Sequence, residues 1–170
     1  MMNKNVVLIG MPGAGKSTVG RLLAKALEMP FIDTDKLIRD REKSSLQELI
    51  NKKGIDEFLR IEEEVILGLK AENHIVATGG SAVYSEAAIN HLKSGGIVVF
   101  LDAKPYQLAR RIKNAEKRGI AMKNGQTLEG LYRERLPLYR KYADIEINCS
   151  GKHINAIVSE IIGFLRHSSG

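Results

Sequence analysis

Short apolar runs alternate along the whole chain with longer segments whose apolar residues recur at helical spacing. The β-branched run at 6–9 predicts a buried strand, and 16–27 predicts an amphipathic helix that is clearest from Val19 onward. A short strand at 30–33 is followed by helices at 34–41, 45–52 and 56–72. Residues 74–78 and 96–101 read as further strands, with a helix at 85–94 between them. Next come a helix at 105–116, a basic, glycine-containing loop at 117–126 and a helix at 127–142. A strand at 145–148 and a helix at 153–166 complete the pattern, and 167–170 is expected to fray. Ser45 followed by Glu48 predicts a capping box, and Phe58, Ile61, Val65 and Leu69 form an apolar stripe on the 56–72 helix. Apolar strands alternating with helices imply a parallel sheet covered on both faces, with ligands beyond the carboxyl ends of its strands. No repeat, linker or second domain interrupts this order, so the expectation is one α/β domain over 1–170.

Composition narrows the class. With 170 residues, 44% hydrophobic and 27% charged, the chain suits a soluble globular domain. No apolar run is long enough to cross a membrane, and the first residues enter the first strand at once, with no room for a signal peptide. The single cysteine, Cys149, excludes an internal disulfide and reads as a structural thiol at a strand end. These features point to the cytoplasm. The net charge of +6 fits either nucleic acid or small anionic substrates. The basic residues are scattered, densest at 110–123 and 133–141, and no tryptophan is present. Without an aromatic-plus-basic stacking pattern, phosphates and carboxylates are the expected partners rather than nucleic acid or membrane.

The chemistry concentrates at Gly10-Met-Pro-Gly13-Ala14-Gly15-Lys16-Ser17-Thr18, a phosphate-loop pattern set between a strand and a helix. Glycines let backbone N–H groups curl around phosphate oxygens, and the helix start adds its dipole. Lys16 would reach the β- and γ-phosphates, and the Ser17 hydroxyl would ligate magnesium. A chance glycine-rich turn would lack the flanking elements, so the pattern implies a nucleoside triphosphate site. In Asp33-Thr-Asp35, one carboxylate suits magnesium and the other an acceptor hydroxyl, whereas Thr34 and Asp35 also suit a helix N-cap. Thr78-Gly79-Gly80-Ser81 permits close backbone approach by a ligand, or is an ordinary turn. Arg118 lies in the basic loop, where a lid arginine could close over the γ-phosphate. Arg135 precedes Leu136-Pro137, a proline that suggests a helix break, and its guanidinium suits a carboxylate. For each arginine alone a solvated surface role is the plainer alternative. His74, His91, His153 and His167 show no metal spacing.

These residues together resemble the shikimate kinase family nearly end to end. The resemblance rests on G-M-P-G-A-G-K-S-T, F-I-D-T-D, G-I-D-E-F-L-R-I-E-E-E-V, A-T-G-G, Arg118 and E-R-L-P-L-Y-R-K-Y-A-D. It implies a three-layer P-loop kinase fold, like that of nucleoside-monophosphate kinases. A central five-stranded parallel sheet would be flanked by helices, with a substrate-binding segment near 34–60 and a mobile lid near 112–127. The implied activity is MgATP-dependent phosphorylation of a shikimate hydroxyl by a cytoplasmic, monomeric enzyme of aromatic amino-acid biosynthesis. By resemblance, Asp35 binds the acceptor hydroxyl, Asp33 lies near magnesium with Ser17, and Gly80 contacts substrate. Arg135 would grip the substrate carboxylate and Arg118 the ATP. Arg110 or Arg111 is similar to the arginine packing against adenine, with Arg111 assigned.

Three positions depart from the family pattern. Leu59 stands where a second carboxylate-binding arginine is expected, and Arg60, one residue on, is turned by about 100° around the helix. Ser81 replaces a third glycine, and Arg118-Gly-Ile-Ala121 replaces a proline-containing lid. Either Arg60 is recruited to the substrate, or shikimate binds weakly, or the acceptor is another hydroxylated metabolite. A non-catalytic nucleotide-binding module is a further alternative, opposed by Asp33, Asp35 and Arg118.

Overall fold

The run predicted as the first strand forms β1 (Asn5–Ile9), every residue of which is buried, as expected of a strand covered on both faces. The computed structural model describes residues 3–112 and 119–168. β1 is the middle strand of a five-stranded sheet with β2 (Phe31–Asp33), β3 (Ile75–Ala77), β4 (Gly96–Asp102) and β5 (Ile145–Asn148). The order is β2-β3-β1-β4-β5 and all pairs are parallel. Val7 pairs with Val76 on one side and Val98 on the other, so apolar residues fill the centre.

Helices α1 (Lys16–Leu27), α2 (Thr34–Glu42), α3 (Leu46–Lys53), α4 (Ile55–Leu67), α5 (Glu86–Ser94), α6 (Pro105–Arg111), α7 (Leu128–Tyr142) and α8 (Ile154–His167) flank the sheet. α1 packs on α8, and α4 packs on both α2 and α5. The main core joins the strands to α1, α5, α7 and α8. A second, smaller core of Ile38, Leu46, Leu49, Phe58, Ile61 and Ala121 lies beneath α2, α3 and α4. Among the described residues no helix is long and apolar enough to cross a membrane. Cys149 is fully buried, and burial pushes its thiol up to about 11, so it packs rather than reacts.

Two expectations need correction, and a third lies mainly outside the described residues. The helix predicted over 56–72 ends at Leu67, where Gly68 caps it and lets the chain turn. The Asn5 side chain then holds the following segment, donating to Ala71 O at 2.7 Å and accepting from His74 N at 2.8 Å. Pro137 does not break α7, which continues to Tyr142. Proline deprives the carbonyl of Arg133 of its partner, but both residues lie on the exposed face, where that loss costs least. Within the described residues α6 ends at Arg111, and the rest of the predicted 105–116 helix falls mainly on residues outside them. The Ser45–Glu48 capping box is present, with both reciprocal bonds.

Candidate active site

Because every strand is parallel, the segments that leave β1, β2 and β3 meet along one edge of the sheet. There they line a cleft of about 570 Å³ that includes Gly13, Gly15, Lys16, Ser17, Thr18, Asp35, Gly79, Gly80, Arg111 and Arg135. The loop between β1 and α1 is closed by Ala14 N donating to Met11 O at 3.1 Å. Gly13 (φ +80°) and Gly15 (φ +95°) adopt the left-handed backbone that a tight nest needs, and Gly15 is the N-cap of α1. Lys16 is buried, its Nζ donating to Gly10 O at 2.6 Å and Met11 O at 2.8 Å. Burial lowers it to about 8, against the attraction of Asp35, so it is largely charged at neutral pH. Arg111 rests on the same loop, Nη1 donating to Gly13 O at 3.1 Å.

Asp33 serves two elements at once. Its Oδ1 accepts from the backbone N–H groups of Asp35 and Lys36, capping α2, while Oδ2 accepts from Ser17 Oγ at 3.0 Å. The N-cap is therefore Asp33, not Thr34 or Asp35 as the sequence allowed. Thr34 is buried and accepts from Gly79 N at 3.3 Å, which ties the start of α2 to the end of β3. Asp35 then points at the Gly79-Gly80 turn. A methyl group on Gly79 would lie 2.6 Å from both Asp35 Oδ1 and Glu62 Oε2, so only glycine fits between the two carboxylates. Burial, reinforced by Asp33, raises the pKa of Asp35.

Arg135 is fully buried on α7. It donates from Nη2 to Ala121 O at 2.8 Å and from Nε to the Tyr84 hydroxyl at 3.2 Å. Among the described residues these hydrogen-bond partners are neutral, and no carboxylate is ion-paired with it. Tyr139, one turn on, stacks on Phe100 and donates to Gly80 O at 2.6 Å, fixing the turn that Arg135 faces.

The cleft thus brings together Gly13, Gly15, Lys16, Ser17, Thr18, Asp33, Asp35, Gly80, Arg111 and Arg135, with Ala14 buried under the loop. Arg60 is not brought there. It lies on the outer surface of α4, more than half exposed, clasped by Glu57 (2.5 Å) and Glu64. These helical neighbours hold it away, and Leu59 supplies no charge in its place. Arg118 lies outside the described residues. Sequence reasoning missed Glu62, Thr34, Tyr84 and Tyr139. Glu62 had a signal, since it falls four residues after Phe58 and four before Ile66 on a buried face.

A family model described as shikimate kinase matches residues 12–166 of this chain. The chain belongs to the shikimate kinase family. It is 39% identical over 163 residues to the shikimate kinase of Paracidovorax citrulli, covering 92% of this chain and 89% of that protein. It is 36% identical to the shikimate kinase of Caldanaerobacter subterraneus, covering 94% of each. Among solved structures, shikimate kinase from Acinetobacter baumannii in complex with shikimate superposes with a TM-score of 0.89. That match has 28% identity and spans 98% of this chain and 95% of the other. The shikimate kinase of Aquifex aeolicus gives a TM-score of 0.82 at 34% identity over 97% and 98% of the two chains. The five-stranded sheet and its flanking helices are those of the shikimate kinase fold.

Proposed function

We propose that this enzyme transfers the γ-phosphoryl group of ATP to a ring hydroxyl of shikimate, giving 3-phosphoshikimate. The observation that carries the substrate assignment is Arg135, a buried guanidinium with neutral hydrogen-bond partners that lines the same cleft as Asp35. A buried cation without a paired anion is costly unless a ligand brings one. The carboxylate of the acceptor meets that need, and Asp35 is left to receive a hydroxyl.

In this reading the phosphate loop and Lys16 hold the β- and γ-phosphates, with Arg111 beside them and Arg118 contributed by a lid near 112–127. The acceptor oxygen bonds to the γ-phosphorus as the bond to the β,γ-bridging oxygen breaks. The hydroxyl proton passes to Asp35, whose raised pKa makes it a better proton acceptor than an ordinary aspartate. Ser17 Oγ and Asp33 Oδ2, 3.0 Å apart beside the loop, are hard oxygen donors of the kind Mg²⁺ accepts together with phosphate oxygens and water. These two residues would hold the metal, which when bound neutralises phosphate charge. The segment 34–60 carries the acceptor side, within a single domain that we read as acting as a monomer.

A coupled ADP-release assay with MgATP, with and without shikimate, tests the reading. Shikimate-dependent turnover is expected, and its absence while ATP still binds would overturn the acceptor assignment. A variant pair then tests the carboxylate grip. Arg135→Lys should raise the KM for shikimate about tenfold or more, because a point charge cannot replace a planar fork, while the KM for ATP stays put. Arg60→Ala should leave the shikimate KM within about twofold, as expected of a solvated surface pair. A large rise in that KM for Arg60→Ala would mean that Arg60 swings into the cleft.

A further inference from the structure

Glu62 is 2% exposed, and its second oxygen, Oε2, is the one buried side-chain polar atom among the described residues without a hydrogen-bond partner. Its first oxygen accepts from Ser81 Oγ at 2.7 Å. Oε2 shares the space above Gly79 with Asp35 Oδ1, immediately behind the cleft lining. The charged and titratable groups that face it are Asp35 from α2, Lys16 from α1, and Arg135 and Tyr139 from α7. Two of these, Asp35 and Arg135, are the residues that receive the acceptor in the reading above, on which this inference rests.

We propose that Ser81 is a positioning residue for the acceptor site, anchoring Glu62 behind Asp35 and Arg135 so that the charge on Glu62 sets how tightly an anionic acceptor is held. The geometry gives Ser81 this hold because its hydroxyl is the hydrogen-bond donor to Glu62 and is itself buried. Leu59, one turn earlier on α4, brings no charge that could take over. Burial, with the nearby Asp35, pushes Glu62 up to about 7, while Ser81, Arg135 and Lys16 pull it down. Below that value Glu62 is neutral and the field of Arg135 is available to the acceptor carboxylate. Above it, Glu62 competes for Arg135 and repels the incoming anion.

The hydrogen bond donated by Ser81 favours the ionised carboxylate, so removing the hydroxyl keeps Glu62 protonated to higher pH. The acceptor carboxylate stays ionised over this range, so its own titration does not shape the profile. In the wild-type enzyme the KM for shikimate should rise about tenfold between pH 6 and pH 8.5. In Ser81→Ala the rise should move up by about one pH unit. Glu62→Gln keeps an oxygen for Ser81 but carries no charge, and its shikimate KM should lose this rise altogether. A wild-type KM that is flat across the range, or a Ser81→Ala profile superimposed on the wild type, would overturn the proposal. Carboxyl ¹³C NMR of Glu62 in the ligand-free protein gives a readout independent of turnover. Ser81→Ala should raise its titration midpoint, and an unmoved midpoint would overturn the role of Ser81. Failure of shikimate to stimulate ADP release at every pH removes the kinase reading instead, and leaves the NMR comparison to decide whether Ser81 governs Glu62.

Discussion

Lys16→Met should leave a folded protein whose phosphoryl transfer is slower by about a thousandfold or more, the range expected when a charge that stabilises the moving phosphoryl group is removed. Methionine matches the length of lysine and can fill the same buried channel, but it cannot follow a phosphate. A lysine whose folded pKa is lowered to about 8 opposes folding below that pH, and the opposition fades as pH rises toward the unfolded value. Replacing it with an apolar side chain of similar volume should therefore leave the protein at least as stable at pH 7 by urea denaturation. Single-turnover kinetics with MgATP and shikimate measure the first effect. A variant that loses several kcal/mol of stability would show instead that Lys16 mainly braces the carbonyls of Gly10 and Met11.

Asp35→Asn should lower kcat by about a hundredfold to ten-thousandfold while the KM for ATP changes less than about twofold. The amide keeps the shape of the side chain and can still meet a hydroxyl, but it cannot take the proton. The start of α2 is not at risk, because Asp33 provides the cap. Steady-state kinetics in both substrates separate the two effects. An equal loss in ATP affinity would move Asp35 from the acceptor side to the nucleotide side.

Much of this arrangement is written in local patterns. The phosphate loop, the five apolar strands and the Ser45–Glu48 box each depend on residues close together in sequence, where spacing alone predicts the outcome. The grouping of Asp35, Gly80 and Arg135 in one cleft follows from a further rule, that parallel strands present their carboxyl ends together. What escaped detection depends on long-range partners. The segment after α4 is held by Asn5, distant in sequence, and Pro137 sits within α7 on its exposed face. Glu62 looked like one acid in an acidic helix, since only the fold supplies Ser81 and the carboxylate opposite. Arg60 lies within helical reach of two glutamates, and the sequence could not say that they would win it.

The division of the interior into two cores gives α4 an unusual mechanical place. Ile66 belongs to the main core and Phe58 and Ile61 to the small one, so Glu62 marks the joint between them. The small core has few members and shares Ala121 with the segment that follows residues 113–118. Such a unit should open more readily than the sheet, since local stability follows buried apolar contact. Amide hydrogen exchange should therefore be faster in α2, α3 and the first half of α4 than in β1 and β4. Protection that is uniform across both cores would mean that they open as one. If the two differ, the wall that carries Asp35 can breathe while the phosphate loop stays still, and substrate can enter without disturbing bound nucleotide.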